Sequence, residues 1–407
     1  MELINATTFQ AAYTMGIEPS AREHIVVAVK GTFAFPERDG ELCPLADEQV
    51  PLVMADEYWG EPGYSAPRYE VDFALRKPSC EVLLNATAHA SDGRPTTKVR
   101  VGVKIGGWSK VIDVVGDRHW VQRGGTIGPS APEPFRTMPI TYERAFGGTD
   151  DTDPERPDAY MPNPVGRGYG LVRSGERLIG RPAPNTEAPD DPVSAPWGGH
   201  RPIALGVQAR NATARLKHAG TYDQHWLDEV FPFLPADFDD RHYQATPADQ
   251  WLEEPAGGEE VMLVRLTPEG HTSFRLPPND LPVVFFRKDG NREERRAMLD
   301  TILIEPDLRR VLLTWRASIP LRRNVFELAE CLVGRKPRGW WRARELGKEY
   351  HPSLDQLVRA RLDGFRETRF MARGGDWIIG AEVPLEGPWR GLPRLARLVE
   401  GPIRECL

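Results

Sequence analysis

Asp117, Arg118 and His119 stand in a row before Trp120 in the stretch VVGDRHWV. A carboxylate beside an imidazole is raw material for general acid–base chemistry. A turn between strands explains the same residues. Gly116-Asp117 directly follows an apolar alternation, and an aspartate there bonds nearby backbone amides. Trp120 then belongs to a core or its rim, and His119 to a strand surface. The turn reading is the expectation.

Other motifs yield less chemistry. His218, His225 and His242 share a region with Asp223, Asp237, Asp239 and Asp240, yet no compact ligand pattern such as H-E-x-x-H occurs. VGRGYG, residues 165–170, has the spacing G-x-G-x-G in Pro-rich surroundings, where a dinucleotide loop needs G-x-G-x-x-G between strand and helix. GLVRSGER, residues 170–177, places Glu176 where a P-loop needs its lysine and Arg177 where it needs a hydroxyl. There is no G-x-S-x-G elbow. Cys43, Cys80, Cys331 and Cys406 form no C-x-x-C pair. No catalytic residue, metal site or cofactor is expected.

The elements that would position a site read as β. Val27, Val29, Phe33 and Phe35 alternate in IVVAVKGTFAF, as in a half-buried strand. YEVDFALR repeats the pattern with Val71, Phe73 and Leu75, and CEVLLNATAHA with Val82, Leu84, Ala86 and Ala88. KVRVGVKIGGWSKVIDVV reads as a hairpin turning at Gly106-Gly107. EEVMLVRLTPEGHTSFRLP and TILIEPDLRRVLLTWRASIP read as two more. Short strands with turn signals predict a mainly β body, an antiparallel sandwich or barrel-like structure, over residues 1–325. Residues 147–202 are dense in Pro, Gly and Asp but keep Tyr160, Tyr169 and Trp197. Proline opposes regular structure, while aromatics argue against a disordered linker. An ordered excursion over the body is expected. Residues 326–407 form a basic, partly helical region. Leu354, Leu357, Val358, Leu362 and Phe365 fall on one helical stripe, and Ser353 with Gln356 makes a capping box.

The 407 residues carry a net charge of −7. From residue 321 onward 17 Lys+Arg face 12 Asp+Glu, a net of +5, which leaves −12 for the front. An acidic body disfavours nucleic acid, so RKPRGWWRAR, residues 335–344, reads as a packed tryptophan pair with snorkelling arginines. The start of the chain lacks the pattern of a signal peptide. No run approaches the ~18 apolar residues of a membrane helix. A soluble, cytoplasmic protein without a membrane partner is expected.

The most specific sequence features are long and ordered. PFRTMPITYERAFGGTD, residues 134–150, precedes NPVGRGYG. Upstream stand DFALRKPSCEVLLNATAHA and VIDVVGDRHW. Downstream stand APNTEAP, HAGTYDQHW, FPFLPADFDDRHYQATPADQ and GGEEVMLVRLTPEG. In this order, over residues 1–334, the chain resembles the bacterial domain-of-unknown-function family 2169, whose members often lie beside type VI secretion genes. It departs from the family pattern at Thr186 in APNTEAP and at Cys80 and Glu81.

The resemblance implies an adaptor or chaperone that acts by binding. Its partners would be a secreted toxic effector and the spike protein that carries it, a valine-glycine-repeat trimer sometimes tipped by a Pro-Ala-Ala-Arg-repeat protein. The segment 135–170 offers Phe135, Tyr142, Phe146, Tyr160 and Tyr169 with Arg136, Arg144 and Arg167. Aromatics and arginines are enriched at binding hot spots, so these eight are the candidate protein-binding residues. Their rival role is to fold the loop. The rival functions are a hydrolase built on Asp117 and His119 or on the 218–242 cluster, and a structural part of the secretion apparatus.

Overall fold

The structure is a computed structural model that describes residues 1–353 and 356–359. It resolves into two compact units, Met1–Arg335 and Lys336–Leu407. The strand Leu328–Val333 belongs to the body, because it pairs with Glu2–Asn5 and with Pro282–Arg287.

The body is mainly β, built from three principal sheets without barrel closure. The largest has six strands in the order Trp251–Leu252, Cys80–Leu84, Met298–Glu305, Arg310–Pro320, Glu23–Ala34 and Gln10–Ile17. A five-stranded antiparallel sheet runs Thr186–Glu187, Trp108–Val115, Lys98–Ile105, Glu260–Val264 and His271–Arg275. A four-stranded sheet holds Glu2–Asn5, Leu328–Val333, Pro282–Arg287 and Arg292–Arg296. The three expected hairpins form. Gly106 turns the first with a φ of +54°, in a region where a Cβ is strained. All three sheets feed one core, including Val27, Val29, Val101, Val103, Leu263, Val283, Phe285, Leu313 and Trp315.

Two strand expectations change. Glu23–Ala34 is buried on both faces along most of its length. YEVDFALR is not a strand beyond Tyr69. The reasons are linked. On the second face of the six-stranded sheet, Glu81, Thr301, Thr314 and Lys30 stand in one row across four strands. All four are buried, and residues 50–78 and 244–246 cover them. Lys30 pairs with Asp72, Lys77 with Glu81, and Arg316 with Asp300. Arg316 also donates to the Asp72 carbonyl at 2.9 and 2.7 Å. Burial works against the Arg316 cation, but Asp300 and Asp72 outweigh it and raise its pKa. Glu70 and Asp72 of YEVDFALR thus face inward to meet charge, and the segment follows its partners instead of a ladder.

Glu81 anchors this cover. Its Oε2 accepts from the amides of Ala245 at 2.6 Å and Thr246 at 3.1 Å, and from the Thr246 hydroxyl at 3.1 Å. Removing one partner of a buried pair leaves an uncompensated charge. Glu81→Ala is expected to cost about 3–5 kcal/mol in urea unfolding. The double substitution Lys77→Met/Glu81→Leu recovers much of that loss, because no charge is left stranded.

In the second unit, Arg338–Glu345 is a helix. Trp340 and Trp341 meet edge to face at 5.0 Å, and the Arg344 guanidinium lies 5.4 Å from the Trp340 ring centre. The Gln356 amide donates to Ser353 Oγ at 3.2 Å, half of the expected capping box. Leu354, Leu362 and Phe365 of the helical stripe lie outside the described residues. Among the described residues no helix is long and apolar enough to cross a membrane.

Candidate protein-binding surface

VVGDRHWV is a junction between the five-stranded sheet and the excursion. Gly116 passes so close to the neighbouring chain that a Cβ would sit 1.8 Å from the Glu133 carbonyl oxygen. Asp117 accepts from Asn185 Nδ2 at 3.0 Å and lies 3.4 Å from Arg144 Nη1. Arg118 is paired with Glu187 in the interior. His119 is exposed, with Nδ1 3.4 Å from Ser130 Oγ, which also donates to the Ala131 carbonyl at 3.1 Å. Trp120 is buried and donates to the Gly168 carbonyl at 3.0 Å. These side chains diverge from one another, as a turn requires and a reaction centre does not.

Trp120 opens a second, smaller core with Ile127, Phe146, Leu178, Ala183 and Val193. The excursion is ordered around it. Phe146 meets Tyr160 edge to face at 5.1 Å and His200 at 5.0 Å. Buried Asn163 donates to the carbonyls of Tyr142 at 2.8 Å and Phe146 at 3.1 Å. That contact explains AFGG, because a Cβ on Gly147 would lie 2.1 Å from the Asn163 carbonyl oxygen. Buried Asp150 accepts from the Leu171 amide at 2.8 Å, from Thr152 and from the Ser174 hydroxyl. Burial disfavours its charge, but these donors win and hold its pKa at about 2.

The eight candidate residues fall into three groups. Tyr142 and Phe146 are buried, and burial raises the Tyr142 pKa. Tyr160, Tyr169, Arg144 and Arg167 are half-buried with internal partners. Tyr160 donates to the His200 carbonyl at 2.9 Å and Tyr169 to Asp158 at 2.6 Å. Burial and Asp158 push the Tyr169 hydroxyl to about 12. Arg144 and Arg167 converge on Asn185 Oδ1 at 3.1 and 3.4 Å, and burial and then Arg144 lower the Arg167 pKa. Phe135 is half-buried against the main core, and Arg136 is exposed. The structure brings six of the eight into the packing of the excursion and leaves Phe135 and Arg136 at its entry.

A denser apolar surface lies at 221–233. Tyr222, Leu227, Phe231 and Phe233 are 42–62 % exposed. They are held in place. Tyr222 meets Trp226 edge to face at 4.7 Å, and Trp226 meets Phe231 at 5.6 Å. Trp226 Nε1 donates to the Phe233 carbonyl at 2.9 Å, across one π-helical turn, Trp226–Val230. Asp223, Asp228 and Glu229 of the same loop are exposed as well. The base of the loop is pinned by buried Arg215, which donates to Glu70 at 2.6 Å and to the carbonyls of Gln208 at 3.1 Å and His242 at 3.1 Å. The signal for this surface was HAGTYDQHW and FPFLPADFDD, but irregular loops have no periodicity from which exposure can be read.

The imidazoles of the region have separate partners. His242 Nδ1 faces the Arg215 carbonyl at 3.2 Å, His218 Nδ1 lies 3.8 Å from Asp239, and His225 is exposed. Burial lowers the pKa of His218 and of His242. Among the described residues no three His, Cys, Asp or Glu side chains gather as a metal site. An open cleft of ≈ 520 Å³ is lined by Arg76, Asp237, Phe238, Asp240 and Met298, and Arg76 and Asp240 pair with each other there.

The family described as an uncharacterized protein conserved in bacteria, DUF2169, matches residues 20–316. The chain belongs to the DUF2169 family. Neither a curated protein nor a solved structure matches it. The family match spans the six-stranded sheet from Glu23–Ala34 to most of Arg310–Pro320, with the whole excursion and the aromatic loop inside it.

Asp150 makes the excursion acid-sensitive. Its folded pKa lies below the ordinary 3.8, so its stabilisation is complete above the unfolded value and is lost as pH falls through the folded one. The loss is about 2 kcal/mol, spread between about pH 5 and pH 2. Asp150→Asn is expected to abolish this component, read as the pH dependence of amide exchange over 148–174.

Proposed function

We propose that this DUF2169 protein is a non-enzymatic cytoplasmic adaptor that binds a type VI secretion effector and helps to load it onto the spike protein. The observation that carries the reading is the aromatic loop at 221–233. Monomeric surfaces scatter exposed apolar residues singly, and a contiguous cluster marks an interaction site. Tyr222, Trp226, Phe231 and Phe233 are adjacent and held by ring contacts and a hydrogen bond. A braced aromatic patch loses little side-chain entropy on binding. The exposed carboxylates of the loop suit a partner segment that mixes apolar and basic residues.

The excursion contributes in a different way. Tyr142, Phe146, Tyr160, Tyr169, Arg144 and Arg167 set its shape, while Arg136, exposed at its entry, is available for direct contact. Effector and spike enter this reading through the family resemblance, and the protein-binding surface through geometry. An adaptor needs a rigid body that presents such surfaces at fixed positions.

Affinity purification of the full chain from its native cytoplasm is expected to recover a secreted toxin or a spike protein. Tyr222→Ala/Phe231→Ala is expected to reduce recovery at least about tenfold, with the unfolding temperature unchanged, since both side chains are mostly exposed. Undiminished recovery with the double variant removes the loop from the interface, and no recovery with the unaltered chain contradicts the adaptor reading.

A further inference from the structure

We propose that the outer edge of the strand Gln10–Ile17 is a second binding site, which takes an extended, uncharged segment of a partner protein as an added β-strand. It is separate from the aromatic loop and does not depend on the partner's being a secreted effector.

The phase of the edge follows from the ladder. The Leu321 amide donates to the Glu23 carbonyl at 2.8 Å, so Glu23 turns its backbone groups toward Arg310–Pro320. Backbone direction alternates along an antiparallel strand. The even-numbered residues of Glu23–Ala34 therefore face the other way. Thr32 agrees, because its amide donates to Gln49 at 2.8 Å on that side. In register those even residues meet Gln10, Ala12, Thr14 and Gly16. The N–H and C=O groups of Ala11, Tyr13, Met15 and Ile17 thus point outward. The Phe9 carbonyl, in the same phase, accepts from Asn5 Nδ2 at 2.7 Å. Among the described residues no donor or acceptor meets the outward groups of the next four odd positions.

The side chains at this margin are apolar as well. Tyr13, Met15 and Ile17 are 39–40 % exposed. Tyr13 stands opposite Val27 and Met15 opposite Ile25, both in the main core. The Tyr13 hydroxyl donates to the Met1 carbonyl at 3.2 Å, and beyond it the core face of the sheet runs out to Met15 and Ile17.

Of the five other edges of the principal sheets, Glu2–Asn5 has four residues and carries Glu2, and the remaining four are charged, covered or short. Arg292–Arg296 carries a charge at every position, which blocks edge pairing. His271–Arg275 is covered, with the Gly40 amide on the Ser273 carbonyl at 3.0 Å and the Cys43 amide on the Arg275 carbonyl at 3.0 Å. Trp251–Leu252 and Thr186–Glu187 have only two residues each. Gln10–Ile17 has eight, with neither charge nor proline. A long, uncharged, apolar edge is the kind that accepts another strand.

Size selects the occupant. Eight residues span about 27 Å. A second copy paired through this edge would join two six-stranded sheets, beyond the ~10 strands that twisted open sheets usually reach. A single extended segment gains main-chain hydrogen bonds together with contacts for its alternate side chains. Its own residues facing Tyr13, Met15 and Ile17 would be apolar at every second position.

The test pans the full-length chain against a random dodecapeptide library and measures binding of the enriched peptide. Enriched sequences should alternate apolar residues and bind the unaltered chain. Met15→Pro deletes one outward N–H and leaves the inner ladder, and Tyr13→Lys places a charge on the edge. Each should weaken binding by about tenfold, while Phe231→Ala should leave it unchanged. Tyr13→Lys keeps the test decisive if the proline variant unfolds. The methyl signal of ¹³C-labelled Met15 should move on titration. The proposal is overturned if no peptide is enriched, or if neither edge variant weakens binding. It is equally overturned if sedimentation shows a dimer that Tyr13→Lys dissolves, or if the amides of Tyr13, Met15 and Ile17 are already protected in the free full-length chain, which would assign the edge to the chain itself. Each of these failures leaves the aromatic-loop experiment standing.

Discussion

The structure depends on charge buried against the second face of the six-stranded sheet. A strand such as Glu23–Ala34, with Lys30 and Thr32 on the face opposite Val27 and Val29, would ordinarily show those residues to water. Here they are covered, and the cost of removing them from solvent is met by polar and charged groups of the covering segments. Asp72 serves Lys30, and Lys77 and the amides of 245–246 serve Glu81. Ion pairs of this kind are poor sources of net stability and good sources of registry. Each covering segment has one place where its charged groups or donors find their partners on the sheet. Glu70 extends the arrangement to Arg215, and Arg215 ties the chain at 208 to the chain at 242. The aromatic loop emerges between those two points, so its position follows from the same buried network.

The β body was legible because period two and turn chemistry are local. Val99, Val101, Val103 and Ile105 alternate before Gly106 whatever the rest of the chain does. The covering segment was not legible for a physical reason. Val71, Phe73 and Leu75 alternate as a strand would, but the alternation serves Glu70 and Asp72, whose cations lie far away in sequence. Period cannot distinguish a ladder from an extended cover whose polar side is the buried one. Glu81, noted only as a departure from the family pattern, proved to be the anchor of that cover.

The candidate site was legible in part. The motifs in 134–170 pointed to an ordered excursion, and its glycines and Asn163 explain their spacing by close backbone approach. Exposure could not be read from them. Tyr142 and Phe146 look like hot-spot residues in composition, yet they fill a small core. Tyr222, Phe231 and Phe233 have the same composition and are largely exposed. The difference lies in tertiary packing around Trp120 and Arg215, which no local pattern encodes.

The account joins a fixed body to a braced, exposed aromatic loop, and its central claim is that the loop is where a partner protein sits. Hydrogen exchange read by mass spectrometry on the full chain, free and in its native complex, tests this most directly. The account predicts slowed exchange over 221–233 in the complex, with the buried interior of the excursion around Asn163 and Asp150 unchanged. Exchange over 221–233 that is the same in both states would contradict it.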